Sequence, residues 1–556
     1  MKNTDQTYLQ PTKEVARLIA IKRAVTLMTT NRCDAAIVPE DYVERVRDRL
    51  LKSDVGHDAA FSSACDEADF ASWKSYRKQF VGAKTPSELK VAYLAGPEPT
   101  HDLQIFIDLG VRPENIWAFE LPKHFEFTLT DLKENPVRGV KALPMKIQAF
   151  FRSSPVRFDI IYFDACGPVP SRQQQTTQAL VDLFRYCALE PLGTLITNFA
   201  MPDMTKADTA DNFGTLVSAY LFPKCFLDRP DGSLSEGPSC HGKVLRDDDN
   251  PDESFYHEVL ENFEHFYGTF ITRHIRDIAT IVSPTLRLHG TEARPILFSV
   301  DAEKAAERAL RYLAFTEASF TDNASIDDAN YIDMDGDAIT DSDHYSILWT
   351  LGACGAFPTD ENFERPPKST VKFLNDWIRQ LGGSADSKIS AKTVIGAFYA
   401  WRSEKAFWSD AMSEMGDHAN RLQMPMFCDV PTDEIGFFPA FAQLAFPSHG
   451  NIKQAERFHY VAEGKSTQMF MDVMVFDECR YVYDWMSGVH MLTDDWRDLS
   501  QQLTFRFALD AIAKDNRWYG DDFLFGCHVV GIDNDFDASE LSPRYKLASP
   551  DISKGQ

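Results

Sequence analysis

The sequence predicts an α/β protein whose central part is a doubly wound, mostly parallel sheet of the Rossmann-like type. Between about residues 90 and 200, short apolar runs alternate with helix-like segments, as in a parallel sheet covered by helices on both faces. The run FDIIYFD is apolar up to its final Asp164, which is typical of a strand buried on both sides. The chain has 556 residues, 44% of them hydrophobic, so it has material for several packed units.

The N-terminal region, residues 1–85, is predicted to be a helical layer. Apolar residues recur at helical spacing between residues 12 and 52, and a weaker helical pattern continues from 62 to 84. This is the least acidic part of the chain, with basic residues Lys74, Arg77, Lys78 and Lys84. These side chains form either a solvated helix face or a local basic patch for RNA or a cofactor phosphate.

Residues 86–300 are predicted to form the sheet domain. Its strands are VAYLAG, NIWAFE, the region VKALPMKIQAF, FDIIYFD and GTLITNF. A segment rich in Asp, Gly, Pro and Ser at about 203–253 predicts an insertion, with a short helix at 212–222, and a long helix is expected from 254 to about 278. The runs TLRLHG and RPILFSV are expected to supply the last antiparallel strands and to close the domain near residue 300.

Residues 301–556 are predicted to form a separate, mixed α/β domain. Helical patterns occur at 302–315, 344–354, 367–381, 391–407 and 494–513, and strand-like runs are RFHYVAEG, QMFMDVMVF, CRYVYDW and FLFGCHVVGI. This half carries about −19 of the net charge of −26. The acidic surface serves either solubility or the binding of a protein partner. The acidic stretch 333–343 does not fit a calcium-binding loop and is interpreted as solvated.

Composition excludes several classes of function. A chain this acidic repels nucleic-acid backbones and anionic lipid, so an RNA substrate would have to bind through a local basic patch. Ten scattered cysteines without a CxxC pair argue against a zinc ribbon, and no metal site is predicted. Neither GxxxxGK[ST] nor GxSxG is present, which disfavours P-loop and serine hydrolase chemistry. Since Lys22 and Arg23 interrupt the apolar stretch near the N-terminus and no run resembles a membrane span, the expected location is cytoplasmic, with no membrane partner.

The informative residues are the strand ends, because ligands of open parallel sheets bind at the carboxyl ends of the strands. The first strand ends in Gly96, Pro97 and Glu98, the second in Glu120, and FDIIYFD in Asp164. A tight glycine turn lets the backbone approach a nucleoside, and an acid at the second strand end accepts hydrogen bonds from ribose hydroxyls. Together these residues predict a nucleoside site.

In order and spacing, VAYLAGPEPTHD, NIWAFE and FDIIYFDACGP resemble the class I S-adenosylmethionine-dependent methyltransferase superfamily, over about two fifths of the chain. The resemblance implies that Gly96 passes under the amino-acid end of S-adenosylmethionine, that Pro97 and Glu98 belong to the same cofactor-binding loop, and that Glu120 holds the ribose. Pro97 and Pro99 stand where the family has a flexible loop. Asp164 and the loop after it would face the methyl group and the substrate. The chain departs from the family in keeping one glycine of the usual GxGxG and in lacking an acid after VKALPMKIQAF, where adenine would be contacted.

The loop after Asp164 leaves the acceptor open. It loosely resembles the corresponding loops of tRNA guanine-N2 methyltransferases and of RNA cytosine-5 methyltransferases, so RNA is one candidate acceptor. In the second group a cysteine attacks the base, which makes Cys166 either a candidate nucleophile or a packed loop residue. The implied reaction is methyl transfer to a nucleophilic N or O, with Asp164 accepting a proton or hydrogen bond. The alternatives are a non-catalytic methyltransferase-like scaffold that binds a protein partner and, less favoured because GxGxxG is missing, a dinucleotide oxidoreductase.

Overall fold

The computed structural model describes residues 10–52, 58–96, 98–165, 167–221, 251–289, 367–383 and 443–485, with short pieces at 409–410, 413–414, 498, 500–501, 503–504 and 543–548. The strands within these ranges belong to one sheet. They are β1 (Val91–Leu94), β2 (Ile116–Glu120), β3 (Lys141–Pro144), β4 (Phe158–Asp164), β5 (Leu189–Ala200), β6 (His449–Gly450), β7 (Glu456–Val461), β8 (Gln468–Asp477) and β9 (Tyr545–Lys546).

The sheet order is β3-β2-β1-β4-β5-β8-β7-β9, and β6 also pairs with β8. Strands β1 to β5 are mutually parallel. Strand β8 is antiparallel to β5, and β7 is antiparallel to β8, so β7 points the same way as β1 to β5. The order of the first five strands is that of a doubly wound sheet.

Helices cover both faces of the sheet. In chain order they are α1 (Pro11–Met28), α2 (Arg32–Ala35), α3 (Tyr42–Leu50), α4 (Asp58–Ser63), α5 (Glu67–Val81), α6 (Thr100–Asp108), α7 (Phe125–Glu134), α8 (Ile147–Ser153), α9 (Thr176–Arg185), α10 (Ala207–Leu221), α11 (Pro251–Glu261), α12 (Phe263–Asp277), α13 (Ser283–His289), α14 (Lys368–Leu381) and α15 (Arg480–Tyr483). One apolar core lies between the sheet and a layer that includes α1, α3, α5 and α6. A second core lies under α8 to α14 on the opposite face.

Strand β4 sits in the middle of this arrangement for a reason visible in its sequence. Phe158 and Ile160 to Phe163 are buried, because each of these apolar side chains belongs to one of the two apolar cores. Asp159, at the amino end, is also buried and pairs with Lys84, whose Nζ lies 2.7 Å from its Oδ1. The chain therefore places its charged residues at the two ends of this strand and apolar residues between them.

The prediction of an α/β protein with a mostly parallel sheet is confirmed. The runs predicted as the first five strands form β1 to β5, and RFHYVAEG and QMFMDVMVF form β7 and β8. The N-terminal helical layer, the short helix near 212–222 and the helix at 367–381 are present as well.

Two runs expected to be strands are helical. The first five residues of TLRLHG lie in α13, which continues α12 through a π-helical turn at Ile278–Val282. Leu286 is buried in the apolar core, and the neighbouring Arg287 guanidinium also turns inward to backbone carbonyls of α9, with Nε 3.0 Å from the Arg185 oxygen. The alternation of apolar and polar residues in this run therefore does not mark the two faces of a strand. The run CRYVYDW contains the short helix α15 instead of a strand.

The last antiparallel strands come from much later in the chain than expected. Strand β8 pairs with β5 over nine residue pairs, from Leu192 opposite Asp477 to Ala200 opposite Met469. Residues 449–477 therefore belong to the central sheet, which corrects their assignment to a separate unit beyond residue 300. The physical reason is that β5 needs a hydrogen-bonding neighbour on its open edge, and β8 supplies it.

Several predictions lie outside the described residues. These are the strands RPILFSV and FLFGCHVVGI, the helices at 302–315, 344–354 and 391–407, most of the helix at 494–513, the acidic stretch 333–343 and the middle of the insertion, 222–250.

Candidate functional site

The topological switch point of the sheet lies between β1 and β4. The chain crosses from β1 to β2 and β3 on one side and then returns to β4 on the other side of β1. Tyr93 and Tyr162 are register partners on these two strands. Just beyond them lie Gly96, after β1, and Asp164, the last residue of β4. In doubly wound sheets the carboxyl ends of such a strand pair form the ligand-binding crevice.

Gly96 adopts a left-handed backbone conformation, with φ of +63°. A Cβ atom added to it would meet no heavy atom within 4 Å, so the space beside this glycine is open. Its carbonyl accepts a hydrogen bond from Thr128 Oγ1 on α7 at 2.8 Å, which fixes the turn. The glycine is required by the backbone conformation, and its open side leaves room for a ligand to approach the main chain.

Glu120 and Glu98 flank this turn. Glu120 is the half-buried last residue of β2, the neighbour of β1 on the side away from β4, and its Oε1 accepts a hydrogen bond from the Leu121 backbone N at 2.6 Å. Glu98 is exposed in the loop that leads into α6, and its Oε2 lies 3.7 Å from His101 Nε2. Gly96, Glu120 and Asp164 thus come from three adjacent strands and end at the same edge of the sheet.

Asp164 is more enclosed than its position at a strand end suggests. Its side chain is only 7% exposed, Oδ2 lies 3.3 Å from Lys13 Nζ, and Oδ1 accepts a hydrogen bond from Asn198 Nδ2 at 2.9 Å. Asn198 is its register partner on β5. Both carboxylate oxygens are therefore engaged. Two other predicted site residues, Pro97 and Cys166, lie outside the described residues.

Helix α1 brings cations to this edge, which the sequence analysis missed. Thr12, at the amino end of α1, donates its backbone N–H to Glu463 Oε1 at 3.0 Å, in the turn that follows β7. The next residue, Lys13, reaches Asp164, and one turn after Lys13 the Nε of Arg17 lies 3.2 Å from Asp102 Oδ1 on α6. The signal was the spacing of Lys13 and Arg17, four residues apart, which puts two cations on the same face of α1.

Two buried polar atoms at the switch point have no hydrogen-bond partner among the described residues. They are the Tyr162 hydroxyl on β4 and Asn198 Oδ1 on β5. Tyr162 is fully buried, and burial raises the pKa of its hydroxyl well above the usual value. Buried polar atoms without partners are rare in folded proteins and are often completed by a ligand or ordered water.

Asp102 gives a pH-dependent prediction. Burial raises the pKa of its carboxyl to about 6, and the Arg17 guanidinium opposes that shift. The folded state thus holds this proton up to a higher pH than the unfolded chain, whose aspartates titrate near ~3.9. The Asp102 contribution to stability is therefore lost as the pH rises from about 4 to 6. The side chain introduced by Asp102→Asn cannot ionise, so urea unfolding should show this variant gaining stability relative to wild type as the pH rises across that range. A stability difference that does not change with pH would contradict the raised pKa of Asp102.

The basic residues of the N-terminal layer do not form an open patch. Lys74 Nζ pairs with Glu44 Oε1 at 2.6 Å, and Lys84 pairs with Asp159. Arg77 is buried and donates from Nε to the Val38 carbonyl at 3.0 Å. Of the four basic residues singled out in this layer, Lys78 remains exposed.

No group of three or more His, Cys, Asp or Glu side chains within the described part of the chain could hold a metal ion. Among the helices described, none has the length and apolar character needed to cross a membrane. Comparison of the chain with protein-family models, with curated proteins and with solved structures finds no match.

Proposed function

We propose that the protein is an S-adenosylmethionine-dependent methyltransferase. The observation that carries the proposal is the convergence of Gly96, Glu120 and Asp164 on one edge of the sheet, from β1, β2 and β4, with the switch point among them. These three residues were selected from the sequence by their resemblance to the methyltransferase motifs. Their convergence is what such a site requires.

The sheet order supports the same proposal. In the class I methyltransferase fold, an antiparallel last strand is inserted beside the fifth strand, and the strand before it lies at the outside. Here β8 is antiparallel, lies between β5 and β7, and follows β7 in the chain, while the two-residue strand β9 pairs with the outer side of β7. A dinucleotide oxidoreductase of Rossmann type continues instead with a parallel sixth strand in the order 3-2-1-4-5-6.

The residues present fit the cofactor. Open space beside Gly96 admits a ligand to the backbone, and the half-buried Glu120 carboxylate can accept hydrogen bonds from both ribose hydroxyls. The Tyr162 hydroxyl and Asn198 Oδ1 are further polar atoms near this edge of the sheet that have no hydrogen-bond partner among the described residues. When bound, S-adenosylmethionine supplies an electrophilic methyl group, and the task of the chain is to position an acceptor against it.

Asp164 is the residue we assign to the acceptor. Its Oδ1 accepts a hydrogen bond from Asn198, which fixes the orientation of the carboxylate. Its Oδ2 faces Lys13 and can also accept a hydrogen bond from the N–H or O–H of the methyl-accepting substrate, which would share or replace the lysine contact. Accepting that hydrogen raises electron density on the attacking N or O. The acceptor is not identified, with RNA as one candidate, and a cytoplasmic location is part of the proposal.

The second candidate is a scaffold that keeps the sheet without catalysis and binds a protein partner through its acidic C-terminal half. The observation that favours it is the engagement of both Asp164 oxygens by Lys13 and Asn198, which is also what a purely structural carboxylate would show. Calorimetric titration with S-adenosylmethionine and S-adenosylhomocysteine separates the two functions, because the methyltransferase is expected to bind both ligands and the scaffold is expected to bind neither.

Glu120→Ala tests the cofactor assignment directly. Loss of the ribose acceptor should weaken S-adenosylhomocysteine binding about fivefold to 150-fold, corresponding to about 1 to 3 kcal/mol for unpaired hydroxyls. The matched control is Glu134→Ala, which removes an exposed carboxylate from the last turn of α7 and should bind like wild type. Equal affinities for wild type and Glu120→Ala would remove Glu120 from the site.

A further inference from the structure

A cleft lies on the opposite face of the sheet from α1. It has a volume of about 170 Å³ and is formed by the loop between β4 and α9 together with one side of α14. Ligand pockets for drug-sized molecules usually measure about 300–1,000 Å³, so this cleft accepts a single ring or a group of similar size. The residues that decide its chemistry are Arg172, Lys372, Phe373, Asp376, Trp377 and Gln380.

Gln380 brings a buried, unpaired hydrogen-bond acceptor to the cleft. It is 8% exposed, it lines the cleft, and its Oε1 has no hydrogen-bond partner among the described residues. An unpaired buried acceptor costs about 1–3 kcal/mol, so it is normally satisfied by a donor. A ligand with an N–H group would satisfy this acceptor.

Aromatic rings form the apolar part of the cleft. Trp377 is fully buried beneath it, and Phe373, which is half-buried, packs against Phe213 of α10 with ring centroids 4.9 Å apart. Rings held in this way have little freedom to lose when a planar ligand packs on them. Base–aromatic packing is the usual means by which proteins hold single nucleobases.

Cations surround the mouth of the cleft. Arg172 and Lys372 line it, and Arg379 lies on the next turn of α14. Asp376 is paired with two of them, at 3.4 Å to Arg172 Nη1 and 2.9 Å to Arg379 Nη1. One carboxylate among three cations leaves a local positive charge, which is notable on a chain with a net charge of −26. Guanidinium and ammonium groups in this arrangement favour a phosphate.

We infer that this cleft binds a nucleotide, with a base carrying an N–H donor against the aromatic side chains and Gln380 and a phosphate at Arg172 and Lys372. A phosphotyrosine side chain also joins an aromatic ring to a phosphate, but its ring has no donor for Gln380. The nucleotide is either a free mononucleotide or one residue of an RNA strand, since both present the same chemistry. The inference goes beyond the proposed function, because it requires neither S-adenosylmethionine nor methyl transfer.

The position of the cleft relates it to the candidate cofactor site of the proposed methyltransferase. Arg172 is eight residues beyond Asp164, on the loop that leaves the carboxyl end of β4. A nucleotide bound there lies on the same edge of the sheet as the candidate cofactor site.

The test is calorimetric titration of the full chain, without S-adenosylmethionine, using the 5′-monophosphates of adenosine, cytidine, guanosine and uridine and a ten-residue single-stranded RNA. Purine riboside 5′-monophosphate, which lacks the amino group of AMP, and phenyl phosphate serve as matched ligands. We expect at least one mononucleotide or the RNA to bind. We also expect Lys372→Glu to weaken that binding tenfold or more, because it reverses an exposed charge at the mouth.

The variant Gln380→Leu keeps the side-chain volume and removes the acceptor. It should lower nucleotide affinity about fivefold to 150-fold and abolish any preference for AMP over purine riboside 5′-monophosphate. Lys133→Glu, the same charge reversal on α7 at the opposite face, is the control and should bind like wild type. Thermal unfolding checks that each variant folds. If Gln380→Leu does not fold, the Lys372→Glu variant and the comparison of AMP with purine riboside 5′-monophosphate still test nucleotide binding.

The outcomes separate cleanly. Tighter binding of a mononucleotide than of the RNA assigns the cleft to a free nucleotide, and tighter, salt-dependent RNA binding assigns it to a strand; both support the inference. It is overturned if none of these ligands binds, if Lys372→Glu binds them like wild type, or if phenyl phosphate binds as tightly as the best mononucleotide.

Discussion

Asp164→Asn should lower methyl transfer by about 100-fold or more while leaving the affinity for S-adenosylhomocysteine nearly unchanged. The reason is chemical: the amide that replaces Oδ2 cannot take a proton from the acceptor, and a positioned acid or base group usually contributes about 100-fold to 10,000-fold to a rate. The measurement is incorporation of tritiated methyl groups into the RNA, DNA and protein fractions of a cell extract.

The structure predicts that this variant remains folded. The side-chain carbonyl oxygen of the introduced amide can keep the hydrogen bond from Asn198 Nδ2, and the lost ion pair joins Asp164 to Lys13, whose side chain is 18% exposed. The matched control is Asp108→Asn on α6, which alters an exposed aspartate and should leave incorporation unchanged.

The scaffold function predicts a different pattern for the same protein. Wild type would then transfer no methyl group to any fraction, and Asp164→Asn would lose about 1 to 2 kcal/mol of stability as a structural substitution. Full incorporation by Asp164→Asn would instead show that Asp164 is not the acceptor's partner, even if the protein is an enzyme.

The sequence was most informative where burial follows local pattern. Strand β4 was predictable because a run such as FDIIYFD has no solvent-facing side, and its last residue, Asp164, therefore had to lie at the sheet edge. The positions of Gly96 and Glu120 were predictable for a related reason, since Gly96 follows a short apolar strand and Glu120 ends one.

Contacts between distant parts of the chain could not be predicted in the same way. Lys13 and Asp164 are 151 positions apart, and β5 pairs with a strand that begins 268 positions after it ends. The sequence around one partner does not indicate the other, so the position of α1 beside Asp164 and the pairing of β8 with β5 were both missed. Gln380 was missed because an amide in the apolar stripe of a helix gives no signal until the cleft beside it is known.

A buried charge cluster joins this late part of the chain to the rest of the fold. Asp472, on β8, is fully buried, accepts a hydrogen bond from Thr272 Oγ1 of α12 at 2.6 Å, and forms an ion pair with Arg544 beside β9. Arg457, on β7, is also buried close by; burial and the charge of Arg544 lower its pKa to about 9, while Asp472 opposes the shift. One carboxylate therefore offsets more than one buried cation.

Replacing Asp472 by Asn should cost about 3–5 kcal/mol of unfolding free energy at pH 7, because the side-chain volume is kept while Arg544 and Arg457 lose the negative charge that faces them. Urea unfolding measures the loss, and the control is Asp203→Asn, an exposed aspartate next to Lys206 that should change stability little. Since β8 pairs with β5, the loss should shift the main transition, in which β1 to β5 unfold, and not a separate one. A loss below about 1 kcal/mol would mean that the charge cluster contributes little to stability, and a second transition that alone responds to the substitution would mean that residues 449–477 unfold separately from β1 to β5.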